Sequence, residues 1–183
     1  MKIKGFRGFI TIWLGQFASL LGSGMTSFAL TIWIYQQTES PTALALSAFF
    51  ATLPMLVFGP ISGALADRYS RKMLLIASDS MAGLATLTLL AICQAGYLQI
   101  WHIYIAVIIA GVADSIQVPV LMGSVTLMVP KKQYGRASGM QELAGTASSI
   151  FAPVAAAGLL AFTDLRDILW IDLATFGLAT ISL

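Results

Sequence analysis

Residues 63–75 read GALADRYSRKMLL. This stretch sets Asp67, Arg68, Arg71 and Lys72 within six positions, in a chain with only ten Lys and Arg and eight Asp and Glu among 183 residues. Apolar runs of ~20 residues, the length that spans a bilayer core, lie on both sides of it. A short charged turn between two such runs is what a chain presents where it leaves one face of a membrane and turns back into it. The rest of the composition agrees. The chain is 58% hydrophobic and 10% charged, with mean hydropathy +0.86, whereas soluble domains carry roughly 25% charged residues. A water-soluble fold of this size leaves too much surface in solvent to hide so much apolar area.

Six apolar segments follow, at about 9–35, 42–65, 73–95, 100–129, 137–162 and 168–183. Their length and lack of strict alternation predict helices rather than barrel strands. The expected fold class is therefore all-α membrane, a six-transmembrane-helix bundle filling 1–183, with no extramembrane domain and no low-complexity stretch. The first segment is too long for a signal-peptide core, so it is expected to remain as a spanning helix. The sixth is still apolar at Leu183, with no polar residue to leave the bilayer, so the chain is expected to be a fragment of a longer protein.

The charges set the topology. Lys2, Lys4 and Arg7 precede the first segment; Arg68, Arg71 and Lys72 join the second and third; Lys131, Lys132 and Arg136 join the fourth and fifth. The opposite loops hold Arg166 with Glu39, Asp164 and Asp167. The positive-inside bias puts the N-terminus and the basic turns in the cytoplasm of a multi-pass plasma-membrane protein, in bacteria the inner membrane. Trp33, Tyr35, Tyr97, Trp101 and Trp170 fall near the expected outer ends, as interfacial aromatics do. The net charge of +2 is thus spent on topology, and no nucleic-acid partner is expected. One histidine, His102, read as a belt residue, and one cysteine, Cys93, read as a small buried apolar residue, cannot build a zinc site. No phosphate-binding loop and no Gly-x-Ser-x-Gly elbow is present, so neither cofactor nor enzymatic activity is expected.

Within the segments, Gly15, Ser19, Ser23 and Ser27 recur every four residues and predict a seam of close helix packing, with a polar cavity on the helix's other flank. Pro54, Pro60, Pro119 and Pro153 lie inside segments, where neighbouring helices must satisfy the freed backbone groups. Four acids also lie inside: Asp79, Asp114, Glu142 and Asp172. Ionisable residues at membrane depth mark functional sites by default. Asp114 is about fifteen residues from the inner end of its helix, or ~22 Å at ~1.5 Å per residue, near mid-membrane. Gln117 follows one turn on along the same face. Asp114 and Gln117 are expected to form the polar pair of a proton-coupling or substrate cavity, with Gln16, Glu142 and Asp79 as further candidates. Asp79 is expected to be structural, within reach of Arg71 or Lys72 or of a helix end, Glu142 to be placed to pair with the inner basic residues, and Asp172 to be interfacial.

In the opening stretch, Gly63, three residues, Asp67-Arg68, two residues, then Arg71-Lys72 resembles the signature of the major facilitator superfamily in spacing, helix number and membrane side. Many members carry Gly where this chain has Ser70, which makes the turn less permissive. WLGQFASLLGSGMTSFAL at 13–30, SDSMAG at 78–83 and GVADSIQVPVLMGSVTLMVPKKQYGRASGMQE at 111–142 resemble the macrolide- and siderophore-exporting branch. SSIFAPVAAAGLL at 148–160 keeps the Pro of the drug exporters' fifth-helix motif, Pro153, with Ala152, Ala156 and Ala157 where they have Gly. Asp114 stands where the fourth helix commonly carries Arg, so an Arg-based relay is not expected. The resemblance implies the N-terminal half of a twelve-helix fold, built as two inverted three-helix repeats and completed by a missing C-terminal six-helix half. It also implies proton-coupled efflux (antiport) of a drug-like or siderophore-like small molecule, as in multidrug resistance. The cluster around Asp67 would latch the two bundles together on the cytoplasmic side. A different class remains open: a non-transporting helical membrane protein, or a half-transporter that pairs with itself.

Overall fold

The computed structural model describes residues 6–182, with the backbone alone at Arg7 and 125–128. Lys2 and Lys4 of the expected basic N-terminus, the Arg7 side chain and Leu183 lie outside the described residues. Among the described residues six helices follow one another: α1 (Phe6–Thr38), α2 (Pro41–Arg68), α3 (Arg71–Gln94), α4 (Ile100–Met128), α5 (Tyr134–Leu160) and α6 (Leu165–Ser182). A single 3-10 turn, Lys131–Gln133, precedes α5. Among the described residues, α1 to α5 are long and apolar enough to cross a membrane. The 18 residues of α6 span ~27 Å, short of a ~30 Å hydrocarbon core, and include Arg166, Asp167 and Asp172.

Each turn has a local cause. Glu39 closes α1 with a left-handed φ of 48° and donates its N–H to the Tyr35 carbonyl at 2.8 Å. Pro41 opens α2 at a position where no backbone donor is needed. Between α2 and α3, Ser70 has φ −65° and its hydroxyl accepts the Met73 N–H at 3.3 Å. The turn therefore asks for an N-cap, not for a glycine, and the expectation that Ser70 makes it less permissive is corrected. At the α3–α4 turn Gly96 has φ +74°, a conformation that favours glycine.

The helices pair in a definite pattern. α1 packs against α5 and α6, α4 packs against α2 and α3, and α3 meets α6. Exchanging α1 with α4, α2 with α5 and α3 with α6 leaves that pattern unchanged. Two hydrogen bonds obey the same exchange: Trp13 Nε1 of α1 donates to the Met140 carbonyl of α5 at 2.9 Å, and the Tyr104 hydroxyl of α4 donates to the Ala43 carbonyl of α2 at 3.1 Å. The core sits where α1, α3, α4, α5 and α6 converge, around Ile34, Leu90, Ile103, Ile168 and Leu169, all buried. The outer surface is apolar instead of polar: Leu56, Val154 and Leu143 are exposed. That is how a bundle solvated by lipid must look, since chain tails and aliphatic side chains are alike.

Small residues set the spacing between axes, but not along the expected stripe. Added side-chain atoms at Gly15 would meet Ser182 and Ala179 of α6, and at Gly22 they would meet Thr175 and Asp172 of α6. The α1–α6 seam thus runs Gly15–Gly22, seven residues apart, a step that drifts by only ~20°. A four-residue step rotates by ~40°, so the stripe that starts at Gly15 turns away, and Ser19, Ser23 and Ser27 face a cavity. Of the two roles expected for this stripe, Ser19 and Ser27 take the cavity-lining one, while Ser23 both lines the cavity and bonds across to Asp172 of α6. Against α5, Gly24 opposes Ala152 and the Ser148 hydroxyl donates to the Leu20 carbonyl at 2.8 Å. Ala152 and Ala156, one turn apart around Pro153, are fully buried there, whereas Ala157 is exposed.

Candidate functional site

Three carboxylates from three helices surround one cavity. Its lining includes Ser19 and Ser23 of α1, Asp79 and Thr86 of α3, Asp114 and Gln117 of α4, and Asp172 of α6. The depths follow from the helix bounds. Asp79 is eight residues into α3 from the end that carries the basic turns, ~12 Å along the axis. Asp114 is fourteen residues from each end of α4. Asp172 is seven residues into α6 from the opposite end, ~10 Å. The acids are staggered across the bundle.

Asp79 is 2% exposed, a burial that costs an ionised carboxylate dearly unless it is hydrogen-bonded. The partners are two amides. Gln117 Nε2 donates to Asp79 Oδ1 at 2.6 Å and Gln16 Nε2 donates to Oδ2 at 3.4 Å. Gln117 Nε2 also donates to Gln16 Oε1 at 2.8 Å, which closes a triangle across α1, α3 and α4. Asp172 is 4% exposed and is held by hydroxyls: Ser23 Oγ donates to Oδ1 and Thr86 Oγ1 to Oδ2, both at 3.0 Å. Asp114 stands between the two clusters, exposed to the cavity, with no hydrogen bond among the described residues.

Several expectations change here. Gln117 is the partner of Asp79 and Gln16, not of Asp114: its long side chain crosses to α3, where Asp79 faces it. Asp79 does not reach Arg71, which lies two turns nearer the helix start with its guanidinium against Gly123 of α4. Arg71 Nη1 is buried there with no hydrogen-bond partner among the described residues. Glu142 is exposed on α5, away from the cavity lining, and does not pair with the inner basic residues in the ion pairs the structure describes. Asp172 is not interfacial but buried between α1, α3 and α6. Thr86, which holds it, was missed, although Asp79 and Thr86 are seven residues apart on one face of α3, a spacing visible in the sequence. His102 Nδ1 accepts the Gln99 N–H at 3.0 Å at the start of α4, a helix-end role.

Residues 12–183 match the profile of the Major Facilitator Superfamily. The chain belongs to that superfamily. It is 30% identical over 174 residues to macrolide efflux protein A of Streptococcus pyogenes, which covers 95% of this chain and 43% of that protein. It is 25% identical over 178 residues to an uncharacterized MFS-type transporter, YfiS, of Bacillus subtilis, and 24% identical over 159 residues to the enterobactin exporter EntS of Citrobacter koseri. Those alignments cover 97% and 87% of this chain and 42% and 38% of the relatives. The chain therefore spans about two fifths of their length. As a member of the superfamily with five long apolar helices, it is an integral membrane protein. Its charged turn lies at one end of the bundle: Gly63 is exposed with open space around it, Asp67, Arg68 and Lys72 are exposed, and Arg71 reaches inward to α4.

Proposed function

We propose that this chain is the N-terminal half of a secondary transporter that exports a drug-like or siderophore-like small molecule in exchange for protons. The observation that carries this reading is the series Asp79, Asp114, Asp172 around one internal cavity, with Asp114 unpaired at the middle of its helix. A carboxyl at that depth can carry a proton between two states of access. The acids on either side are held in place by amides and hydroxyls, so movement of charge concentrates on Asp114. The names of the relatives, macrolide efflux protein and enterobactin exporter, support a drug-like or siderophore-like substrate.

The remaining parts follow the same reading. The exchange symmetry of the helix pairs supports two inverted three-helix repeats, with α6 as a sixth span. Such repeats rock against a second bundle around a midplane site. That second bundle is a further six helices, the missing C-terminal half. The basic turns support a cytoplasmic N-terminus, in bacteria at the inner membrane. Gly63, Asp67, Arg68, Arg71 and Lys72 form the inner latch between bundles, with the exposed Asp67 offered to the other half.

The test is export driven by an imposed pH gradient in inside-out vesicles. Asp114→Asn is expected to abolish gradient-driven flux while membrane insertion stays at wild-type level. Unchanged flux in that variant would remove Asp114 from the mechanism.

A further inference from the structure

We infer that a groove between α3 and α4 binds one phospholipid of the leaflet at the α3–α4 turn, with an acyl chain along the groove and the phosphate at His102. Two rows of side chains form the walls: Leu84, Thr88 and Ile92 of α3, and Trp101, Ile105 and Ile109 of α4. Each row steps by four residues and so keeps to one face of its helix. The floor between them is made largely of Ala85 and Ala106, short enough to leave a hollow of about 540 Å³. Leu84, Trp101 and Ile105 are exposed, so the hollow lies open to the bilayer.

The groove has the dimension of a lipid chain. On α3 it runs from Ile92, next to the end of the helix, to Met81. That run of the helix spans ~16 Å, about half of a ~30 Å hydrocarbon core. The groove is therefore as deep as one leaflet and begins at that leaflet's interface. A helix from another bundle, or from a second copy of the chain, would cross both leaflets and need a groove along the other half of α3 and α4 as well. The lining stops at Met81 and Ile109.

The polar atoms of the lining are engaged, except at the interfacial end. The Thr88 hydroxyl donates to the Leu84 carbonyl at 2.7 Å, and Trp101 Nε1 donates to Gln99 Oε1 at 2.6 Å. His102 Nδ1 accepts the Gln99 N–H at 3.0 Å, which assigns the ring proton to Nε2. That N–H has no hydrogen-bond partner among the described residues, and its ring lies against Trp101 with centroids 3.6 Å apart. A phosphate oxygen at headgroup level is the acceptor it lacks. The start of α4, the positive end of a helix dipole, favours an anion at the same place. An apolar trough one leaflet deep with a donor at its interfacial end matches a phospholipid in both parts.

The test reads lipid binding, so its outcome is independent of the proton-coupled reading. The purified protein in mild detergent is given phosphatidylglycerol or diacylglycerol and followed by native mass spectrometry as rising collision energy strips loosely held lipid. The expected result is one retained phosphatidylglycerol per chain, held about ten-fold better than diacylglycerol, the worth of one hydrogen bond to a charged group. Thr88→Trp, which fills the groove from an exposed position, is expected to abolish retention with helicity and Tm at the wild-type level. His102→Asn keeps an oxygen that can accept the Gln99 N–H and removes only the free donor, and it is expected to erase the preference for phosphatidylglycerol. No retained lipid in the wild type would overturn the inference. So would retention unaffected by Thr88→Trp, a preference unchanged in His102→Asn, or a dimer of the chain in place of the lipid.

Discussion

Gln117 has one amide group that serves two partners, Asp79 and Gln16, and its loss isolates a buried carboxylate. Polar pairs inside membranes average ~0.6 kcal/mol, and hydrogen bonds to charged groups reach ~3 kcal/mol. Gln117→Leu is therefore expected to destabilise the bundle by about 0.6–3 kcal/mol, measured by unfolding in detergent, while Gln117→Glu perturbs it more by placing a second acid beside Asp79. Equal stability of Gln117→Leu and wild type would mean that the triangle is not closed in the membrane. The sequence made Asp114 and Gln117 legible as polar residues at depth, and both line the cavity. Their pairing was not legible, because an amide that reaches another helix leaves no trace in spacing along its own. Asp172 was misplaced for a related reason. Its nearness to the end of an apolar segment suggested an interface, whereas the hydroxyls of Ser23 and Thr86 draw it inward.

Helix spacing rests on a few glycines that differ in what surrounds them. A Cβ at Gly111 of α4 would meet the Ala51 carbonyl oxygen of α2 at 2.6 Å, a backbone atom that cannot rotate aside. Gly145 of α5 has nothing within 4 Å. Gly111→Ala is expected to cost about 1–3 kcal/mol through overpacking, and Gly145→Ala to gain up to about 1 kcal/mol through helix propensity. Thermal unfolding of the two variants side by side checks the order, and a reversed order would contradict the α2–α4 packing. Ser70→Ala removes the α3 N-cap and is expected to cost about 1 kcal/mol, whereas Ser70→Gly, which restores the residue many superfamily members carry, is expected to cost only a few tenths. At this scale the helices were legible from apolar length alone. The packing stripe was half legible: small residues were recognised, but a four-residue repeat rotates off the contact line and the seven-residue repeat of Gly15 and Gly22 holds it.

For the whole molecule, the basic turns alternate along the chain with turns that hold few basic residues, and the proposed topology puts the basic ones inside. Cysteines placed singly at Arg68 and Lys131, in a background without Cys93, are expected to resist membrane-impermeant reagents in intact cells and to react once the inner face is opened. Labelling from outside would invert the topology. The helical bundle class was legible because it is a sum over many residues, which single errors do not upset. The inner cavity was legible only in part, since it forms from side chains that meet across α1, α3, α4 and α6. The central claim is that export is coupled to protons through Asp114, and proton movement itself is the most direct readout. With the protein in liposomes loaded with a pH-sensitive dye, an outward gradient of transported substrate is expected to drive protons inward and acidify the lumen in the wild type, and to leave the pH unchanged in Asp114→Asn. Substrate efflux with no change of luminal pH in the wild type would contradict it.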